Sequence, residues 1–150
     1  MTKAAISSET LHASCVAIGG HAVLLHGQSG CGKSDLALRL IDRGATLVSD
    51  DYTLLRRIDD RLVASPPPTI AGRIEVRGIG VVDLPHVTDV EVRLLVMLDE
   101  PTPRMPDEAP AQRSIAGVEV PVVALPPFDA SAAIKVELAL RHFGLGEIWS

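Results

Sequence analysis

Short apolar runs that alternate with turn-forming residues predict two β-hairpins in the first half of the chain. Residues 14–18 and 21–26 are apolar and are separated by a Gly-Gly pair, which is typical of a tight hairpin turn. Residues 52–58 and 61–64 flank an Asp-Asp pair in the same way. The chain therefore has more hairpins than a purely parallel sheet would contain.

Helical spacing of apolar positions predicts two helices. In residues 33–43 the apolar side chains recur on one face, and Gly44 follows as a C-terminal stop. Asp129 is the predicted N-cap of a second helix over residues 130–143, which a glycine ends.

Further strands are predicted between these elements. Residues 45–49 have strand composition and end in an acidic pair, and residues 73–82 are strand-like although two glycines interrupt them. Residues 90–98 are the most apolar strand candidate, and residues 117–125 form another. The intervening residues 99–114 are rich in proline and charge, which predicts a long surface loop. Together the elements predict an α/β fold with a mixed sheet, hairpins and a few helices.

Composition limits the classes of function. The length of 150 residues predicts a single domain over residues 1–150, and 3% aromatic residues predict a core of Val, Leu, Ile and Ala. A net charge of −5 provides no basic stripe for phosphates, so we expect no nucleic-acid partner. No apolar run approaches about 18 residues and no signal peptide begins the chain, so we expect no membrane span and a cytoplasmic protein. Cys15 and Cys31 are expected to be free thiols.

One motif indicates nucleotide binding. It matches G-x-x-x-x-G-K-[ST] without a mismatch and lies between a predicted strand and a predicted helix. Its glycines allow successive backbone N–H groups to turn toward an anion, and the helix N-terminus adds partial positive charge. In this arrangement Lys33 would reach the β- and γ-phosphates and Ser34 would offer its hydroxyl to Mg²⁺. The motif consists of Gly27, Gln28, Ser29, Gly30, Cys31, Gly32, Lys33 and Ser34.

Two acidic pairs could supply the carboxylate that a phosphate loop needs near its Mg²⁺. Asp99-Glu100 follows the more apolar strand, whereas Asp50-Asp51 follows the strand that returns directly from the predicted helix. A right-handed crossover would set that returning strand parallel to the strand before the loop, with its C-terminal end near the phosphates. Two adjacent aspartates could also have separate roles, with one facing the metal and the other facing the substrate. The residues by themselves leave both pairs open.

Four pieces of sequence together resemble the catalytic domain of the HPr kinase/phosphorylase family. They are His12 in LHASCVAI, the phosphate loop GQSGCGKS, the acidic pair in LVSDD, and the segment EVRGIG that begins at Glu75. They occur in the family's order between about residues 10 and 83. The resemblance implies a P-loop fold of the HPr kinase and PEP carboxykinase type, and an ATP- and Mg²⁺-dependent kinase that phosphorylates a serine of an HPr-like phosphocarrier protein.

The resemblance also implies roles for individual residues. Ser34 and Glu75 would hold Mg²⁺, and the loop containing Lys33 would bind ATP. Asp51 would be the general base for phosphorylation and the general acid for the reverse reaction, with Asp50 beside it and His12 orienting it. Arg104, in the segment PTPRMPDE, matches a further catalytic arginine.

Departures from the family pattern modify this expectation. The family's full-length members carry an N-terminal domain, so the chain is expected to be a short form made of the catalytic domain. The segment VVALPPFDAS lacks the glycine and arginine that the family uses for dephosphorylation, which favours the kinase direction over phosphorolysis. A hexamer is expected from the family. Two alternatives remain: a P-loop small-molecule kinase or NTPase that uses Asp99, and a nucleotide-sensing module without catalysis.

Overall fold

The structure is a computed structural model that describes residues 8–105 and 109–146. The helices are α1 (Lys33–Asp42) and α2 (Ala132–Ala139), with a 3-10 turn at Pro68–Ile70 and a π-helical turn at Leu140–Gly144. The strands are β1 (Ser8–Leu11), β2 (Ala13–Ile18), β3 (His21–His26), β4 (Thr46–Ser49), β5 (Thr53–Ile58), β6 (Arg61–Ser65), β7 (Arg73–Val76), β8 (Gly80–Asp83), β9 (Val90–Met97), β10 (Ala111–Ile115) and β11 (Val118–Ala124).

The central layer is a mixed sheet with the strand order β4-β2-β3-β9-β11, to which β10 adds at the β11 edge. The pairs β3–β9 and β9–β11 are parallel, whereas β2 is antiparallel to both β3 and β4. The sequences HAVLLH and VEVRLLVM of β3 and β9 are almost continuously apolar because both faces of these strands are covered.

A second layer of strands, β1-β5-β6, covers one face of the central sheet. It is joined through β6, which pairs with the start of β9 at Val63–Glu91 and Ala64–Val90. Because neighbouring residues of a strand point to opposite faces, Leu24 contributes to the core under this layer while Leu25 contributes to the core under the helices.

The third layer consists of α1, α2 and the small sheet β7–β8. Leu36 and Leu40 of α1 and Val136 of α2 are fully buried against the central sheet. Ile74 of β7 joins the same apolar cluster, which brings this hairpin beside α1. Among the described residues no helix is long and apolar enough to cross a membrane.

Much of the predicted pattern is confirmed. The hairpins predicted around the Gly-Gly and Asp-Asp pairs are β2–β3 and β5–β6. The predicted first helix is α1, and Gly44 follows it with a φ of 110°. The predicted strands at residues 45–49, 90–98 and 117–125 are β4, β9 and β11. β4 runs in the same direction as β3, as a right-handed crossover requires, but β2 lies between them.

Three predictions are wrong in detail. Residues 73–82 form the hairpin β7–β8 rather than one strand, because Gly78 and Gly80 have φ values of 88° and 114° that reverse the chain. The predicted loop over residues 99–114 includes part of β10, whose mostly exposed sequence AQRSI is held in the sheet by pairing with β11.

The third error concerns the start and end of the second helix. Ser131 rather than Asp129 is the N-cap of α2, and the α-helix ends at Ala139. The Asp129 carbonyl accepts a hydrogen bond from the N–H of Ala132, and its carboxylate lies 3.5 Å from Lys135 Nζ. The π-helical turn extends the segment to Gly144, where a β-carbon would lie 2.7 Å from the Arg93 carbonyl oxygen.

Candidate active site

The glycine motif forms the turn between β3 and α1, at the C-terminal end of β3. β3 ends at His26, and the α-helix begins at Lys33 with the N–H of Leu36 bonded to the Gly32 carbonyl at 2.9 Å. Gly30 and Gly32 have φ values of 83° and 99°, a region that favours glycine. The sequence folds this way locally because glycines permit the turn and an amphipathic helix follows it.

Lys33 is buried inside this turn. Its Nζ donates to the carbonyl oxygens of Gly27 at 2.9 Å and Gln28 at 3.1 Å. Among the described ion pairs none joins Lys33 to a carboxylate, so its positive charge is held by the loop backbone. The ammonium group therefore sits where an anionic ligand in the loop would meet it.

Asp50 is a buried carboxylate that three donors hold in place. Its Oδ1 accepts from Ser34 Oγ at 2.6 Å and from Ser14 Oγ at 2.8 Å, and its Oδ2 accepts from the Glu75 N–H at 3.0 Å. It connects β4, β2, β7 and the start of α1. A buried carboxylate needs such donors because water is excluded from it.

Asp51 differs from its neighbour in environment. Its backbone has a φ of 66°, and its side chain is half exposed. Oδ1 lies 2.7 Å from His12 Nε2, and the His12 ring stacks on Tyr52 with centroids 4.8 Å apart. One carboxylate of the pair is therefore fixed inside the protein, and the other is accessible and oriented by a histidine.

Ser14 is a site residue that the sequence reasoning missed. Its hydroxyl donates to Asp50 and accepts the Asp51 N–H at 3.0 Å, so it links both aspartates to β2. The signal was a single hydroxyl in an apolar strand, two residues after His12. In the structure Ser14 is buried near the start of β2, directly after the bend that contains His12.

Most of the predicted residues line one open cavity of about 530 Å³ in front of the phosphate loop, whereas His12, Gly27, Gln28 and Cys31 do not. Glu75, Val76 and Arg77, at the end of β7 and in the turn after it, line the cavity together with the exposed ring of Phe128. The sequence reasoning had not assigned Phe128. The polar side chains of the cavity include Lys33, Ser34, Asp50, Asp51, Glu75 and Arg77.

Asp99 and Arg104 do not line this cavity either. Asp99, the alternative carboxylate, accepts a hydrogen bond from the Gln28 N–H at 3.2 Å, whereas Asp50 contacts Ser34. Arg104 does not line the phosphate-loop cavity. It is exposed and lines a second cavity, between the loop after β9 and α2, near Lys135.

The oxygen atoms at the site suit a magnesium ion. Ser34, Asp50 and Glu75 all line the cavity, and a hydroxyl with carboxylates is the ligand type that Mg²⁺ prefers. Within the described residues no group of three or more His, Cys, Asp or Glu side chains forms a metal cage.

The pKa of His26, at the end of β3, lies below its ordinary value. Its Nδ1 atom is buried without a hydrogen-bond partner among the described residues. Burial lowers the pKa of His26, and the charge of Arg113 lowers it further, while Asp99 opposes the shift. Burial likewise raises the pKa of the Cys15 thiol, which stays protonated.

The fold and this site define a P-loop nucleotide-binding protein with a curled mixed sheet. Residues 3–146 match the family described as the HPr Serine kinase C-terminal domain. The chain belongs to this family.

Similar proteins carry corresponding names. The HPr kinase/phosphorylase of Enterococcus faecalis is 34% identical over 148 residues, which cover 89% of this chain and 47% of that protein. The HPr kinase/phosphorylase of Clostridium tetani is 44% identical over 77 residues, or 51% of this chain and 25% of that protein. The chain thus spans between a quarter and a half of these curated relatives.

A solved structure extends the similarity to the fold. The structure of the Hpr(Ser) kinase/phosphatase from Coxiella burnetii superposes with a TM-score of 0.78 and 31% identity, covering 89% of each chain. The resemblance inferred from His12, the phosphate loop, the acidic pair and the Glu75 segment is thereby confirmed at the level of family and fold.

Proposed function

We propose that this protein is an ATP- and Mg²⁺-dependent kinase that phosphorylates a serine of an HPr-like phosphocarrier protein. One observation carries the proposal: Asp50 is bonded to the phosphate-loop Ser34, while the adjacent Asp51 presents its carboxylate beside His12 at the same cavity. A nucleotide site and an oriented base are therefore next to each other. The acceptor, an HPr-like protein, is inferred from the names of the relatives.

Nucleotide binding would use the loop from Gly27 to Ser34. Its backbone N–H groups and the start of α1 would bind the phosphates, and Lys33 would neutralise the charge on the β- and γ-phosphates. Ser34 and Glu75, with Asp50 behind Ser34, would hold Mg²⁺. The bound ion would neutralise the charge that develops on the transferring phosphoryl group.

Asp51 would act as the general base. The acceptor serine hydroxyl gives its proton to the Asp51 carboxylate as the serine oxygen bonds to the γ-phosphorus, and the bond to the β–γ bridging oxygen breaks to release ADP. His12, at 2.7 Å, fixes the direction of the Asp51 carboxylate. The half-exposed position of Asp51 supports this role because a protein substrate must reach it.

Other parts of the expectation stay predictions. The catalytic role of Arg104 would require the part of the loop that carries it to approach the phosphate-loop cavity. Phosphorolysis, the hexamer and the cytoplasmic location rest on the family resemblance and composition. The single domain over residues 1–150 is likewise a proposal.

The decisive experiment compares Asp51→Asn with Asp59→Asn. Both aspartates have positive φ, 66° and 55°, which asparagine also adopts, so the two substitutions perturb the backbone alike. With radiolabelled ATP, Mg²⁺ and an HPr-like protein, we expect Asp51→Asn to slow serine labelling by about 10²–10⁴-fold. Asp59 lies in the distant β5–β6 turn, and its variant should label at the normal rate.

Unchanged labelling by Asp51→Asn would contradict the assigned mechanism. ATP binding by the same variant should persist, because Asp51 contacts His12 rather than the loop. Greater damage from Asp99→Asn would favour a small-molecule kinase or NTPase. ATP binding by the natural chain without any transfer would favour a nucleotide sensor.

A further inference from the structure

Phe128 is an exposed aromatic ring at the mouth of the phosphate-loop cavity. The residue is 71% exposed, and it is one of only two phenylalanines in the chain. The ring also packs on the loop itself: a β-carbon on Gly32 would lie 3.0 Å from two of its ring carbons. One part of the ring thus contacts the phosphate loop, and much of the rest is open to the cavity.

The ring is held at this position by α1. The Arg39 guanidinium donates one hydrogen bond to the Pro127 carbonyl oxygen and another, of 3.1 Å, to the Asp129 carbonyl oxygen. These bonds hold the backbone on both sides of Phe128. Asp35 pairs with Arg39 at 3.1 Å and directs it. Both charged residues belong to the helix that begins at the phosphate loop, which fixes the ring relative to the loop.

The strands that precede the acidic pair and Phe128 lie on opposite sides of β3 in the sheet. β3 carries the phosphate loop, and the acidic pair Asp50-Asp51 follows β4 on one side of it. Phe128 follows β11, which lies on the other side beyond β9. A nucleoside triphosphate whose γ-phosphate faces Asp51 therefore extends its base away from the acidic pair, toward Phe128.

We propose that Phe128 is the stacking platform for the nucleobase of the phosphoryl donor. This assignment rests on the proposed function, because it takes the direction of the nucleotide from the role of Asp51. An exposed, backbone-anchored ring offers a π-face to any base, and the larger purine rings gain more from it than pyrimidines. A purine nucleoside triphosphate is the donor class that this ring would favour, bound through its base and its phosphates at separate places.

The test separates these two contributions. We would measure binding of Mg²⁺-ATP and of Mg²⁺-tripolyphosphate, which lacks ribose and base, by calorimetry. Phe128→Ala should weaken ATP binding about 10-fold and leave tripolyphosphate binding unchanged. Phe128→Trp should restore ATP binding, and its indole fluorescence should change when ATP is added.

Kinetics and a matched control complete the design. In the transfer assay Phe128→Ala should raise KM for ATP with little change in kcat, because the ring binds donor and transition state alike. Ile58→Ala removes another partly exposed apolar side chain, in the distant β5–β6 hairpin, and should change neither affinity.

The possible results are distinguishable. Equal ATP affinity in Phe128→Ala and the natural chain would overturn the platform and leave the proposed function intact. Equal loss for ATP and tripolyphosphate would also overturn it, because the ring would then support only Gly32 and the loop. If the natural chain bound neither ligand, the proposed function and the platform would both fail.

Discussion

At the scale of single residues, the site separates two adjacent carboxylates by backbone conformation. The φ of 66° at Asp51 turns its side chain away from Asp50, which is buried and accepts three hydrogen bonds. Ser14 stabilises the turn by contacting both residues. Two neighbouring positions of the same residue type thereby acquire different chemistry, one suited to position Ser34 and one suited to accept a proton.

The sequence indicated some of these residues and not others. Lys33 and Ser34 follow from a motif with fixed spacing, and Asp51 and His12 were found through the family resemblance. Ser14 and Phe128 were missed because their significance depends on distant parts of the chain. Ser14 matters because β4 delivers Asp50 to it, and Phe128 because Arg39 holds its loop beside Gly32.

His26 makes the stability of the protein sensitive to acid. Because its pKa in the folded protein lies below the ordinary 6.5, the unfolded chain takes up the proton first as the pH falls. The contribution of neutral His26 to the free energy of unfolding is fully present above pH 6.5 and decreases as the pH falls below that value. We expect the urea midpoint to drop between pH 7.5 and pH 5.5, and His26→Gln to make that drop smaller.

The control for this prediction is His21→Gln, at the other end of β3. Its midpoint should fall with pH as much as that of the natural chain. A fall that is the same in all three proteins would show that other groups dominate the acid sensitivity.

At the scale of elements, the helix layer combines an ion pair with apolar packing. Arg43 contacts Glu137 through two hydrogen bonds at 2.8 and 3.0 Å, linking α1 to α2, and this pair raises the pKa of Arg43. Both side chains remain partly exposed, where solvent weakens such pairs. Leu40, fully buried on the same helix, belongs to the apolar cluster under the layer.

Packing rather than the ion pair should therefore stabilise the helix layer. We expect Leu40→Ala to lower the free energy of unfolding by about 2–5 kcal/mol, because it leaves a cavity. Glu137→Gln, which keeps the shape and removes the charge, should leave the urea midpoint nearly unchanged. A larger loss from Glu137→Gln than from Leu40→Ala would reverse this ranking.

At the scale of the whole molecule, β9 joins the layers. It pairs with β6 at its start and with β3 and β11 further along, and its side chains enter both apolar cores. Neither strand layer can separate without breaking contacts of this strand. The sequence predicted β9 from its apolar composition, but the composition did not reveal that it has three partners.

The chain should consequently unfold as one cooperative unit. Urea unfolding followed by far-UV circular dichroism and by amide hydrogen exchange should give one transition with the same midpoint. As a control for probe differences, Ile58→Ala in the β5–β6 hairpin should shift both midpoints together. Separate midpoints for β1-β5-β6 and for the central sheet would contradict the single domain.

The sequence by itself determined most of the strands, the hairpins around the Gly-Gly and Asp-Asp pairs, α1 and the phosphate loop, and it marked Asp50-Asp51 as one of two candidate acidic pairs. These follow from apolar periodicity, glycine conformations and fixed motif spacing, which act over a few residues or within one motif. The tertiary structure alone decided that Asp50 rather than Asp99 contacts Ser34, that β7 packs beside α1, and that Phe128 contacts the loop. Those outcomes depend on which strands become neighbours, and strand pairing is set by burial of the whole core.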